Sequence, residues 1–166
     1  MLQLSWSDIG PGAALEQFCA ELQDELWPQN FDPFPLPMPG KLAFSYASLH
    51  SHLERYLFKS GGIGNMSVPN KKAIANAFQS AAIDQLEEKL VLAFQWCKQE
   101  NIKIGHLVVS GGVASNSQLR NRQVSLCQIP NLSLSRLATC MSSVQEKQIS
   151  LIFPPPSLCT GGFSVA

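Results

Sequence analysis

The sequence has little charge. Only 14% of its 166 residues are charged, and twelve basic residues balance twelve acidic ones, so the formal net charge is zero. A chain with no basic excess has no overall field to collect a polyanion, and only local basic patches remain open. There is no CxxC pair. The five cysteines, Cys19, Cys97, Cys127, Cys140 and Cys159, stand singly, which argues against a zinc ribbon. Their odd number argues against a complete disulfide framework, so reduced thiols in an intracellular compartment are expected. The apolar runs are too short to span a bilayer, and no membrane span is expected. The start, MLQLSWSDIGPG, shows neither a basic n-region nor an Arg-rich amphipathic pattern, so no transit or signal peptide is visible. Also missing are a GxxxxGK[ST] phosphate loop, a GxSxG elbow, a readable Ser-His-Asp arrangement and an HxxxH pair. His50 and His52 lie two apart on an expected helix, point away from each other and read as surface residues.

What is present is a globular composition. Apolar residues make up 45%, enough for one domain with a core across residues 1–166. Asp8 to Gly12 reads as a turn. A helix is expected from Ala13 to Leu26, with Leu15, Phe18, Cys19 and Leu22 on one face. Residues 28–40, PQNFDPFPLPMPG, hold five prolines and form an extended connector. A short strand is expected over Lys41–Tyr46 and a helix over Ala47–Phe58. Ser60 to Asn65 is a Gly-rich loop. The longest helix runs from Pro69 or Asn70 to about Glu100, with Ile74, Phe78, Ala81, Ala82, Leu86, Leu90, Phe94 and Cys97 on its buried stripe. His106–Ser110 reads as a fully buried strand, Ala114–Val124 as a helix and Ser150–Phe153 as a strand. Residues 121–150 are weakly patterned.

The most informative stretch is LVVSGGVASNSQLRNRQ, Leu107 to Gln123. A strand, a glycine turn and a helix form half of an α/β unit, and ligands bind beyond the carboxyl ends of strands in such sheets. Gly111 and Gly112 have no Cβ, so a phosphate can come close to the backbone. The next helix aims free N–H groups at the same place. Asn116 can offer an amide to a ribose or base. Two readings stay open on this pattern: a nucleotide-binding turn, or a tight connection capped by Ser110 or Ser115.

The wording of the motifs narrows the choice. VVSGGVASNSQLR resembles the C-terminal-half signature of the tRNA N6-adenosine threonylcarbamoyltransferase family, the O-sialoglycoprotein endopeptidase-like (Gcp) group, most closely its mitochondrial branch. Asp8–Gly12 resembles the family's D-x-A-P-G turn, and FSYASLH (Phe44 to His50) its FSFSGLKT segment. Ile74–Gln79 resembles its IAxxFQ helix. Pro154–Thr160 resembles its PPPxLCTDN loop. The resemblance implies part of an actin-like, sugar-kinase-like α/β lobe with a mixed sheet and packed helices. It implies an acyltransferase that uses ATP, or an adenylate, with a divalent metal. Such an enzyme moves a threonylcarbamoyl group from threonylcarbamoyl-adenylate to N6 of adenosine 37 in tRNAs reading ANN codons. It also implies a mitochondrial location. Mapped by motif, Gly111, Gly112 and Asn116 fall on the nucleotide side, and Glu16 falls where the family places a ribose-contacting Asp.

The sequence departs from the family in three ways. It corresponds to roughly the second half of a member, without the paired metal-binding histidines. Gly161 follows Thr160 where the family has a metal-ligating Asp, so no metal ligand is assigned and Cys159 is read as a packing residue. The family's YPGGP turn is absent after the first helix. These departures suggest a truncated or alternatively spliced product that is inactive alone. The alternative is a non-catalytic nucleotide-binding or regulatory module that forms a homodimer or pairs with a full-length subunit. Asp84, Glu87 and Glu88 read as a solvated helix face. Lys71, Lys72, Arg120 and Arg122 read as surface residues rather than tRNA phosphate contacts, and Trp6, Trp27 and Trp96 as packing residues.

Overall fold

A computed structural model of the chain describes residues 10–20, 27–28, 30–128 and 150–154. The order is α1 (Pro11–Ala20), α2 (Ala47–Lys59), a 3-10 turn (Ile63–Asn65), α3 (Val68–Gln99), β1 (His106–Val108), a second 3-10 turn (Gly112–Ser115), α4 (Ser117–Gln128) and β2 (Ser150–Ile152). The chain divides into two units, Met1–Trp96 and Cys97–Ala166, the boundary falling in the last turn of α3.

The first unit is helical. α1 buries Ala14 and Cys19, and Lys72 of α3 sits 5.5 Å above the Phe18 ring. α2 starts and stops close to the expected positions, because Leu49 and Leu53 repeat at helical spacing and both are buried. Leu53, Met66 and Ile74 form a core cluster, edged by Phe34, Tyr56, Leu57, Ile63 and Phe78. Ser67 starts α3: its hydroxyl accepts the Asn70 N–H at 3.4 Å and its carbonyl the Lys71 N–H at 3.0 Å. At the far end Asn101 turns left-handed (φ 57°) and Ile102 donates back to the Cys97 carbonyl at 2.8 Å.

α3 is where the expectation changes most. Of the predicted stripe only Ile74 is fully buried, while Ala73, Ala75, Ala77, Gln79, Ile83, Gln85, Glu88, Lys89 and Val91 are buried instead. The apolar stripe is only part of what this helix buries, because its polar groups are consumed by the proline-rich segment. Glu88 Oε1 accepts the Gly40 N–H at 2.7 Å. The Lys89 ammonium donates to the Pro37 and Met38 carbonyls at 3.3 and 2.7 Å and to the Glu88 carboxylate. Glu88 is therefore no solvated residue. Gln85 Oε1 accepts the Ser45 N–H at 2.8 Å. With that donor taken and Ala43 turning back on Lys41 at 2.8 Å, no strand forms over Lys41–Tyr46. The Gly-rich loop contains the first 3-10 turn. His52 also departs from a plain surface role. It packs against the Phe31 and Phe34 rings, each 5.2 Å away, and its Nε2 lies 2.9 Å from the Asp32 carbonyl. His50 is exposed and lies 3.4 Å from Glu54. Trp27 and Trp96 are 56% and 48% exposed, and Trp27 packs half-buried, its ring centre 6.0 Å from that of Phe31 and its Nε1 donating to the Phe31 carbonyl at 2.9 Å.

The second unit is α/β. β1 and β2 pair in parallel with His106 opposite Ser150, Leu107 opposite Leu151 and Val108 opposite Ile152. This is the one sheet among the described residues, a parallel pair consistent with part of the expected α/β lobe. The sequence reads β1 as fully buried, yet Val108 is 58% and Ile152 43% exposed. A parallel sheet is normally covered on both faces. Two strands bury Leu107 and Leu151 only in part. Residues 129–149, most of the weakly patterned segment, lie outside the described residues, as do Trp6, Cys159 and Gly161.

Candidate nucleotide-binding turn

The turn after β1 is built by one glycine's backbone freedom. Gly111 sits at φ 97°, a region that side-chain-bearing residues rarely adopt. That angle reverses the chain, so Ala114 donates to the Gly111 carbonyl at 2.9 Å and Asn116 to the Val113 carbonyl at 3.1 Å. The intervening residues form a 3-10 turn rather than the first turn of a helix, and α4 starts at Ser117, three residues later than its sequence suggests. Among the described residues nothing lies within 4 Å of where a Cβ on Gly111 or Gly112 would point.

The cap of α4 is Asn116. Its Oδ1 accepts the Leu119 N–H at 2.9 Å, and its carbonyl accepts the Arg120 N–H at 3.1 Å. The expected caps are not used: Ser115 donates its hydroxyl to the Gly112 carbonyl at 2.7 Å, bracing the turn from inside. Asn116 thus serves the helix with its oxygen, and its amide NH2 takes no part in that cap.

Arg120 does work that the sequence does not disclose. Its Nε donates to the Ala114 carbonyl at 2.5 Å, a terminal nitrogen donates to the Pro154 carbonyl at 3.2 Å, and the guanidinium lies 4.8 Å from the centre of the Phe153 ring. It ties the glycine turn to the end of β2. Parallel pairing brings the carboxyl ends of both strands together, which sets Pro154 beside the turn. Arg120 is neither a free surface charge nor available to a phosphate in this arrangement. The one available signal was an arginine four residues after an N-cap, with an aromatic residue closing the last strand.

Gly111, Gly112 and Asn116 are brought together in the second unit. Glu16 lies in the first, on α1, half-buried. Burial, and secondarily the Glu16 carboxylate, push the Cys19 thiol up to about 11. Among the described residues no group of three or more His, Cys, Asp or Glu side chains could hold a metal ion. The loop where the family resemblance places a metal ligand, around Gly161, lies outside the described residues. No helix among them is long and apolar enough to cross a membrane.

The family model for tRNA N6-adenosine threonylcarbamoyltransferase matches residues 8–161. A probable mitochondrial enzyme of that name from Arabidopsis thaliana is 37% identical over 91 residues, covering 55% of this chain and 15% of that protein. The Thermodesulfovibrio yellowstonii enzyme is 33% identical over 134 residues, 78% of this chain and 33% of the relative. The mitochondrial enzyme of Schizosaccharomyces pombe is 28% identical over 162 residues, 96% of this chain and 35% of the relative. The chain thus spans about a third or less of the length of these relatives.

Proposed function

The chain belongs to the tRNA N6-adenosine threonylcarbamoyltransferase family, and from that premise we propose that it carries the nucleotide-side turn of such an enzyme without the means to complete the reaction alone. The observation that supports this is the open glycine turn, Gly111 and Gly112, capped by Asn116. An adenylate phosphate or ribose would lie against the two glycines. The N–H groups that open a 3-10 turn have no partner within it, and they would meet the ligand's oxygens. The Asn116 NH2 would donate to the nucleotide while its oxygen holds the helix. Arg120 would act indirectly, fixing the turn against Pro154. In a complete enzyme such preorganised donors would hold the adenylate while adenosine N6 of a tRNA attacks the threonylcarbamoyl carbonyl. The divalent metal would come from residues outside this chain. Two relatives are named as mitochondrial enzymes, and the mitochondrion is the proposed compartment, to be checked by fractionation. A thermal melt with and without ATP tests the site. ATP should raise the transition, and Asn116→Ala should abolish the rise relative to that variant's own melt. An unmoved transition in the parent chain would overturn the reading.

A second reading is supported by the exposure of Val108 and Ile152. The lobe would act as a regulatory module that pairs with a full-length subunit of its family, whose relatives are about three times longer than the region matched here.

A further inference from the structure

The two sides of α2 differ in chemistry. On one side Leu49 and Leu53 are buried, and Tyr56 and Leu57 edge the core cluster. On the other side Ser51, Arg55, Phe58 and Lys59 are exposed, and their three- and four-residue spacing makes them neighbours on one helical face. Phe58 is 88% exposed, more than any other large apolar side chain among the described residues. Phe31, Phe34, Tyr56 and Phe78 pack ring against ring, whereas Phe58 makes no ring contact among those residues. Arg55 and Lys59 form no ion pair among them either. The single acidic residue of α2, Glu54, lies 3.4 Å from His50. A helix end ordinarily repels an anion. Here the carbonyls of Tyr56, Leu57 and Phe58 are taken by the N–H groups of Ser60, Gly62 and Gly61 at 3.0, 2.8 and 3.3 Å, so the last turn leaves little negative charge unmet.

A solvent-facing ring beside two unpaired cations suits one kind of partner. A base stacks on a ring without needing further apolar surface, and the phosphates that flank it are drawn to the cations. A protein partner needs a contiguous apolar core and disfavours lysine, whereas the exposed neighbours of Phe58 on this face are Ser51, Arg55 and Lys59. A membrane surface needs a wider apolar face than one ring supplies. The zero net charge of the chain adds no long-range attraction, so affinity here is local.

We propose that the outer face of α2, Phe58 with Arg55 and Lys59, binds single-stranded nucleic acid, one base on the ring and phosphates on the two cations. The face lies in the first unit and does not depend on the nucleotide turn of the second. The test uses the full 166-residue chain and a fluorescein-labelled ten-nucleotide oligoadenylate, read by anisotropy across a salt series. Saturable binding is expected at low salt, falling with a log–log slope of about −1.4, the value for two phosphates of a single strand. Phe58→Ala should weaken binding about 5- to 100-fold with the slope unchanged, because only stacking is lost. Lys59→Gln should reduce the slope by about 0.7. Both positions are exposed, so each variant should melt with the parent. Deca-glutamate, which offers charge without bases, should not compete. An oligonucleotide that fails to bind, that binds Phe58→Ala as well as the parent, or that deca-glutamate displaces at equal charge overturns the proposal. So does a concentration-dependent dimer that Phe58→Ala abolishes in a chain that binds no oligonucleotide, since the face would then belong to a second copy. The ATP-dependent melt that requires Asn116 stands or falls separately.

Discussion

Gly111 and Gly112 are neighbours with opposite reasons for being glycine. Gly111 holds a left-handed angle, φ 97°, whereas Gly112 does not, and a Cβ on either meets no described residue within 4 Å. Gly111→Ala should therefore cost about 1–2 kcal/mol of stability through backbone strain. Gly112→Ala should leave urea unfolding within about 0.5 kcal/mol of the parent, yet remove the ATP-dependent rise in melting temperature, because the new methyl fills the approach. Equal destabilisation by both variants, with ATP binding intact in Gly112→Ala, would refute a nucleotide at this turn. Sequence pattern disclosed the glycine turn, whose chemistry is local, but it placed the cap at Ser110 or Ser115 where Asn116 serves. It did not disclose Arg120, whose partner Pro154 lies 34 positions away and becomes a neighbour only once β2 pairs with β1. Cys19 offers a pH test at the same scale. Its thiol is raised to about 11 from an ordinary 9.0, so it stays protonated in the folded chain through moderately alkaline pH. Alkylation by iodoacetamide at pH 9 should be slow until the chain is unfolded. The sign for stability follows: the unfolded thiol ionises first, so this residue's contribution is intact below about 9 and falls as pH rises toward 11.

Helices α2 and α3 were legible in the sequence because their apolar residues recur at helical spacing. A strand over Lys41–Tyr46 was not legible as a failure, since a strand exists only if a neighbouring edge accepts it, and here Gln85 takes the Ser45 N–H first. Nor does periodicity indicate that a helix will bury adjacent charges. Glu88 and Lys89 are 6% and 3% exposed and hold the backbone of Pro37–Gly40, where Met38 adopts a left-handed φ of 48°. Removing one member leaves the other charged and buried. Lys89→Met should destabilise by about 3–5 kcal/mol, and the double change Glu88→Gln with Lys89→Met should cost less than that single change. Urea titration measures both. Limited proteolysis should cut residues 31–46 faster in Lys89→Met than in the parent. A Lys89→Met chain as stable as the parent would mean that the buried pair does not hold the segment.

For the molecule as a whole, the decisive fact is proportion. The family match runs through residues 8–161, yet the chain spans about a third or less of its relatives. Its strand β1 reads as buried and is not. Val108 and Ile152 face each other across the parallel pair and are both exposed. Among the described residues the pair is left open, whereas a parallel sheet is normally covered on both faces. The regulatory reading proposed above takes a full-length subunit of the same family as the cover. Mixed with a full-length family enzyme, the chain should co-elute on a sizing column and change the rate of threonylcarbamoyl transfer to tRNA. Ile152→Lys should leave the chain's own melt within about 0.5 kcal/mol of the parent, as for an exposed position, and should abolish co-elution. Co-elution that survives Ile152→Lys would place the contact elsewhere. No co-elution of the parent chain at any ratio would eliminate the regulatory reading and leave the nucleotide turn as the part of the family chemistry to pursue.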